Sequence, residues 1–280
     1  LLAHPQIEYI SLADLDISAN IPRLEELLDF IRKNNPRNLN FFAFISSVPA
    51  VVDHFDLLED AGFLSKHEQE LCVTLQSGNP EVLKLARRQW FTMEHLRKIA
   101  PDILKRYPKS KVELILGLPG ETLESQKKTL VDLFSIGFRQ FHLFDYLVNP
   151  GSEFYARRRE LGLEYRDETE YVLKKNPAFS EGDLLLARRF EDNFQVLIRI
   201  LDPADLDLYE QWGLDLEDIA ENCDFYSEPR LLGSSRCTDR TSVGYLADLD
   251  IRIVDVLTRF LETSRGFDPS KAALIRPKPT

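Results

Sequence analysis

The stretch VELILGLPGETLESQKKTL, residues 112–130, decides the fold. Val112 to Leu118 is an apolar run of strand length, and Pro119-Gly120 marks a turn that ends it. Thr122 then stands where a helix N-cap belongs, and Leu123, Leu130, Leu133 and Phe134 fall on the buried side of the helix that follows. Strand, tight turn and helix in that order make one βα unit.

The same rhythm extends to both sides. Upstream, strands are predicted over Ile7 to Ala13 (IEYISLA), Leu39 to Ile45 (LNFFAFI) and Glu70 to Leu75 (ELCVTL). Downstream there is one more, Gln140 to Val148 (QFHLFDYLV). Between them the spacing predicts a helix capped by Asn20 with Pro22 in its first turn, and another over Ala50 to Asp60 stopped by Gly62. Helices over Pro80 to Arg88 and, capped by Thr92, over Met93 to Arg106 follow, with a short one from Ser152. Neighbouring parallel strands joined by right-handed crossovers form either an open doubly wound sheet or a curled partial barrel. No G-x-G-x-x-G follows any strand, so the reading is α/β, a partial TIM-like (β/α) barrel of five parallel strands.

After about residue 160 the pattern turns helical. Helices are expected over Ser180 to Leu201, Ala204 to Trp212, Leu216 to Cys223 and Ser242 to Glu262, with no comparable strand signal and a frayed tail over Lys271 to Thr280. The expected division is a barrel over 1–158 and a helical C-terminal extension over 159–280.

Composition narrows the function. The 280 residues carry 35 Lys and Arg against 46 Asp and Glu, a net charge of −11, which argues against a generic grip on phosphate backbones. No apolar run approaches the roughly 20 residues that span a bilayer. Three cysteines, Cys72, Cys223 and Cys237, are too few for a disulfide framework, and a cytoplasmic location is expected.

In parallel βα architectures, ligands sit where strands end and loops begin. The residues there are Asp14 and Asp16; Ser46 and Ser47; Gln76, Ser77 and Gly78; Gly117, Pro119, Gly120 and Glu121; and Asn149, Pro150 and Gly151. Turn chemistry alone also favours such residues, so helix capping is the competing explanation for Asp14, Asp16, Gln76 and Ser77, and a helix-dipole partner for Arg88 beside Arg87.

Three segments in order, TLQSGNPEVLKLARR (74–88), VELILGLPGETLESQKKTL (112–130) and FHLFDYLVNPGSEFY (141–155), resemble the second half of a radical S-adenosylmethionine (radical SAM) domain, of the type often fused to a cobalamin-binding domain. ISLADLDISANIPRLEELLDFI (10–31) is similar to the family's second strand and acidic exit loop. The resemblance covers roughly residues 5 to 158 and implies roles for particular residues. Asp14 and Asp16 match the loop that meets the methionyl amino group. Ser46 lies on the same rim. Gln76 and Ser77 match the position that contacts the ribose or methionine, although many relatives have Glu at Gln76. Arg88 matches a basic residue that pairs with the methionyl carboxylate. Gly117, Pro119 and Gly120 match the turn beside the adenine, and Val148 with Asn149 the last strand's backbone edge.

The family's chemistry uses S-adenosylmethionine and a [4Fe-4S] cluster held by C-x-x-x-C-x-x-C after the first strand. No such motif occurs here. The resemblance therefore implies a fragment lacking the first strand and cluster loop, inactive alone, whose parent makes a 5'-deoxyadenosyl radical that acts on an organic substrate. Cobalamin in an upstream domain and an electron donor such as flavodoxin or ferredoxin would accompany it, with no nucleic-acid or membrane partner. Cys72 is expected to be a small buried hydrophobe within its strand, and no metal ligands are assigned in this chain. His4, His54, His67, His95 and His142 show no zinc-protease spacing, and His142 and Asp145 fall on opposite strand faces. Trp90, Phe91 and Tyr146 near the rim fit a pocket lining or core packing equally. Two rival readings remain: a small α/β-barrel enzyme that binds a phosphorylated or nucleotide ligand without a cluster, and a degenerate, non-catalytic binding or assembly domain.

Overall fold

The computed structural model describes residues 4, 6–14, 16–35, 38–43, 45–64, 70–166, 170–212, 214–223 and 253–262. Its first half alternates as expected. β1 (Tyr9–Ser11) leads to α1 (Ile21–Asn34), and β2 (Asn40–Phe42) to α2 (Val48–Asp53) and α3 (Phe55–Asp60). β3 (Cys72–Gln76) is followed by α4 (Pro80–Leu85) and α5 (Met93–Arg106), β4 (Lys111–Leu116) by α6 (Leu123–Ile136), and β5 (Phe141–Asp145) by α7 (Glu153–Ala156). The strands pair in parallel as two ladders, β1 with β2 and β3-β4-β5. The α/β class with parallel strands is thereby established.

Local chemistry explains the helix ends. Asn20 accepts from the Arg23 amide at 3.1 Å and caps α1, with Pro22 at an N-terminal position where no N–H is missed. Thr92 and Thr122 cap α5 and α6 by reciprocal bonds with His95 and Ser125. The single helix expected over Ala50 to Asp60 is two, because the chain leaves helical geometry at His54 (φ −120°, ψ 20°). Past α3, Gly62 adopts φ +87°, and a Cβ there would meet the Leu39 carbonyl oxygen at 2.5 Å. Its own carbonyl receives the Phe41 amide at 2.8 Å, which ties the helix end to β2.

Alternation divides the three-stranded ladder into two faces. Val73, Leu75, Val112, Leu114, Leu116, Phe141 and Leu143 are buried against the helices. Their core partners include Tyr107, Phe134, Phe138 and Phe194. The opposite face carries Cys72, Thr74, Lys111, Glu113, Ile115, His142 and Phe144, half-buried or exposed. Cys72 thus lies within its strand as expected but is exposed, one residue out of step with the buried Val73. Its thiol is pushed up by crowding around the sulfur, against the opposing charge and hydrogen bond of Lys111.

The C-terminal part differs from the expectation in one respect. Besides α8 (Glu181–Leu197), α9 (Leu206–Gln211), α10 (Leu216–Asn222) and a helix over 253–262, it contains a small antiparallel hairpin, β6 (Glu164–Tyr165) with β7 (Leu173–Lys175). Two- and three-residue strands leave no periodic signature to read. This hairpin is stitched to the barrel: Tyr171 accepts from the Val148 amide at 2.8 Å, and the Leu173 amide donates to Tyr146 at 2.9 Å. The beginning of the helix expected over Ser242 to Glu262, the tail and Cys237 lie outside the described residues.

Helix α8 runs along the outer edge of β5 and satisfies it with side chains. Glu191 accepts from the Leu143 amide at 3.0 Å, Arg188 donates to the Leu143 carbonyl, and Gln195 Nε2 donates to the Phe141 carbonyl at 3.1 Å. A strand edge that would otherwise show bare amides and carbonyls is closed without another strand.

Candidate functional site

The rim at the strand ends divides into side chains used up by the fold and side chains left over. Asp16 belongs to the first group. Its carboxylate accepts from the Ser18 amide at 2.9 Å, the Ser18 hydroxyl at 2.5 Å, the Ser46 amide at 3.1 Å and the Ser46 hydroxyl. Burial works against its ionisation, but the bonds from Ser18 and Ser46 outweigh that and hold the carboxyl below the usual carboxylate range. Asp16 therefore locks the exit of β1 to that of β2. Asp14 pairs with Arg23 at 3.0 Å. Ser47 caps α2 by accepting from the Ala50 amide at 3.4 Å.

Ser77 and Glu121 form a second lock. Ser77 is buried, its hydroxyl donates to Glu121 at 2.5 Å, and it accepts from the Asn79 amide at 3.0 Å. Glu121 also receives the Ser125 hydroxyl. Complete burial pushes its carboxyl up, against the hydroxyl bonds of Ser125 and Ser77. The exits of β3 and β4 are joined by this pair. Gly78 has no room for a side chain, because a Cβ would come within 2.4 Å of Thr129 Oγ1.

The turn after β4 is covered by the extension. Gly117 adopts φ +82°, and a Cβ would meet Leu173 at 2.7 Å and Leu184 at 3.0 Å. Its carbonyl accepts from Asn176 Nδ2 at 2.9 Å. Pro119 is buried, whereas Gly120 at φ +84° is exposed with only ordinary contacts for a Cβ. The Val148 amide is engaged by Tyr171, so this part of the strand edge is already paired within the chain. Asn149 is exposed, and its carbonyl accepts from Ser152. Phe91 and Tyr146 pack in the core, and Trp90 stays 43% exposed.

What remains is small and specific. Gln76, half-buried at the bulge that ends β3, sits at φ +70°, a region that non-glycine residues seldom occupy. Arg88, also half-buried, has no carboxylate partner among the described residues; its guanidinium lies over the Trp90 ring, 5.8 Å from the centroid. Burial pulls Arg88 below its ordinary value while the Asp16 carboxylate pulls the other way. It nevertheless stays charged at any physiological pH.

Thr74, Glu113, Ile115 and Phe144, to which the sequence reading gave no role, lie with His142 on the face away from the helices. Thr74 is in register with Glu113, and Glu113 with His142, across three adjacent strands; Ile115 is in register with Phe144 one step further. The His142 and Phe144 rings are 4.0 Å apart. His142 and Asp145 do not pair, since Asp145 accepts from Arg188 at 2.8 Å. Alternation in the three strands was the available signal, and it needed the register to become a row. Among the described residues, no group of three His, Cys, Asp or Glu side chains is placed to hold a metal ion. None of the described helices is long and apolar enough to cross a membrane.

Comparison with known proteins adds the lineage. The tRNA-2-methylthio-N(6)-dimethylallyladenosine synthase of Herpetosiphon aurantiacus is 27% identical over 138 residues, 47% of this chain and 30% of the relative. That of Buchnera aphidicola subsp. Cinara cedri is 32% identical over 134 residues, with the same shares. This chain is a relative of the radical SAM proteins. It spans about 30% of the length of these curated relatives. Among solved structures, the radical S-adenosylmethionine methyltransferase TsrM from Kitasatospora setae, with cobalamin and a [4Fe-4S] cluster bound, matches with TM-score 0.47 and 18% identity over 71% of this chain and 43% of its own. Coproporphyrinogen III oxidase (HemN) from Escherichia coli, a radical SAM enzyme, matches with TM-score 0.36 and 15% identity over 85% and 74%. No family model matches.

Proposed function

We propose that this radical SAM relative contributes the part of an enzyme that holds S-adenosylmethionine, with Arg88 receiving the methionyl carboxylate. The single observation that carries the reading is Arg88 itself, a half-buried guanidinium flanked by Trp90 and without an anionic partner among the described residues. A planar fork of donors matches a carboxylate better than it matches solvent-exchanged water, and the aromatic face limits where that fork swings. Gln76 offers an amide at the neighbouring strand end, in a backbone conformation that only a well-braced loop sustains. The Asp16 and Ser77–Glu121 locks supply that bracing by fixing adjacent strand exits to one another.

When bound beside a reduced [4Fe-4S] cluster, S-adenosylmethionine supplies a 5'-deoxyadenosyl radical. The residues of this chain do not fit the cluster: its three cysteines lack the C-x-x-x-C-x-x-C spacing, and Cys72 and Cys223 belong to a strand and a helix end far apart in sequence. No step is assigned to these residues beyond binding and orienting the cofactor. In this reading the 280 residues do not complete the reaction by themselves; the cluster and an electron donor of the flavodoxin or ferredoxin kind come from elsewhere. The non-catalytic binding-domain reading draws on the same locks, because Asp16, Ser77 and Val148 are engaged internally.

Isothermal titration with S-adenosylmethionine tests the assignment. Native protein should bind it, and Arg88→Ala should weaken binding by about 10- to 100-fold, the usual loss for a charge-assisted hydrogen-bonded contact. Arg88→Lys should recover only part, since a point charge lacks the fork. Unchanged affinity in Arg88→Ala would remove the basis of the proposal.

A further inference from the structure

The row Thr74, Glu113, His142 is costly for a sheet to carry unless something uses it. Glu113 is in β4, the central strand of its ladder, hydrogen-bonded on both flanks, where a half-buried carboxylate without a partner is unfavourable. It is half-buried and has no hydrogen bond or ion pair among the described residues. The cation nearest in the pattern, Lys111, is one step toward the strand start and is taken by Glu70 at 2.6 Å. Thr74 makes only a long bond, 3.5 Å, to the Ser46 carbonyl. His142 has the Phe144 ring as its neighbour and no polar partner among the described residues.

Chemistry and position combine on this face. Ile115 and Phe144 form an apolar step directly toward the strand C-termini, where barrel ligands sit, and Phe144 is 45% exposed. A carboxylate without a counter-ion, a hydroxyl and an imidazole side by side suit a hydrogen-bond-donating cation, and they repel an anion. We propose that Thr74, Glu113 and His142 are the polar anchor of the substrate site, and that the substrate is an organic ammonium whose apolar body lies on Ile115 and Phe144. Glu113 takes the ammonium, Thr74 and His142 accept its remaining donors, and the Phe144 ring offers a face to the adjoining carbon skeleton.

This deepens the cofactor-binding reading and rests on it for calling the ligand a substrate, but its test does not involve S-adenosylmethionine. Saturation-transfer NMR and titration with phenethylammonium, 2-phenylethanol and 3-phenylpropionate compare one aromatic body with three head groups on the full chain. Native protein should bind the ammonium about tenfold more tightly than the alcohol, the scale of a charged hydrogen bond, and should not detectably bind the carboxylate. Glu113→Gln should abolish the preference of ammonium over alcohol. Phe144→Ala should weaken both equally. Both variants lie on the exposed face, and circular dichroism verifies that they fold. Equal binding of ammonium and alcohol, no binding of any probe, or a preference that survives Glu113→Gln would each overturn the proposal. Loss of cofactor binding in Arg88→Ala with intact ammonium selectivity would leave the anchor standing, and the reverse would leave the cofactor rim standing.

Discussion

Residues at a strand exit answer two demands, bracing the loops and meeting a ligand, and here the same residue types serve both. Asp16 shows how the bracing wins. With four bonds from Ser18 and Ser46, its carboxylate is an internal acceptor, and a part-exposed cluster of this kind contributes roughly 1–2 kcal/mol after solvent screening. Asp16→Asn should lower the urea midpoint at pH 7 correspondingly, because the amide can place only one acceptor among four donors. The sign with pH follows from the lowered carboxyl: its stabilisation is present above the unfolded value of 3.8 and is lost as pH falls through the still lower folded value. Native and variant midpoints should therefore converge in acid; a gap that persists below pH 3 would mean that the carboxylate's charge contributes nothing. Sequence alone showed that Asp14, Asp16, Ser46, Gln76, Ser77 and Arg88 gather on the rim, because strand ends are readable. Which of them remain free was not readable. That depends on hydrogen bonds such as Ser77 to Glu121 across 44 positions of sequence.

At the scale of elements, the barrel strands announced themselves by apolar runs bounded by Pro, Gly and caps, and the helices by Asn20, Thr92 and Thr122. The hairpin at Glu164–Tyr165 and Leu173–Lys175 did not, since its position depends on pairing with Tyr146 and Val148 rather than on local pattern. The closure of the β5 edge was equally hidden, because it is made by side chains one and two turns apart along α8. Glu191, its central member, is buried, and that burial raises its carboxyl to about 7 against the attraction of Arg188 and the Leu143 amide. Between the unfolded value of 4.5 and about 7, the folded protein keeps a proton that the unfolded chain has released. Stability from this group is thus full below pH 4.5 and falls as pH rises through 7. Glu191→Gln retains an acceptor for the Leu143 amide and cannot ionise. Relative to native protein it should gain about 2–3 kcal/mol between pH 4.5 and pH 8, read from denaturant midpoints at the two pH values. A constant difference across that range would show that Arg188 fully neutralises the burial penalty.

At the scale of the described residues, two parallel ladders carry their helices, and the C-terminal part covers one stretch of the strand ends and leaves another open. Leu173, Leu184 and Asn176 press on Gly117, and Tyr171 holds Val148, so the turn after β4 is roofed. Among the described residues Arg88 has no ion pair, the side chains of Glu113 and His142 have no hydrogen bond or ion pair, and that of Thr74 has only the long bond to the Ser46 carbonyl. The proposed anionic group at Arg88 and cationic group at Glu113 fit that division, whereas the sequence has no C-x-x-x-C-x-x-C run to supply the thiolates of an iron–sulfur centre. Cluster assembly is the property on which this chain should most differ from radical SAM enzymes that carry the C-x-x-x-C-x-x-C motif. Anaerobic reconstitution of the 280 residues with iron and sulfide should yield no [4Fe-4S] absorbance near the visible charge-transfer region and no cluster signal on reduction. Cys72→Ala and Cys223→Ala should change neither result, since one thiol is held up by its surroundings on a strand and the other is buried at the end of α10. A stoichiometric cluster lost on either substitution would show that cysteines far apart in sequence are brought together, and the cofactor rim would then have its iron within the same chain.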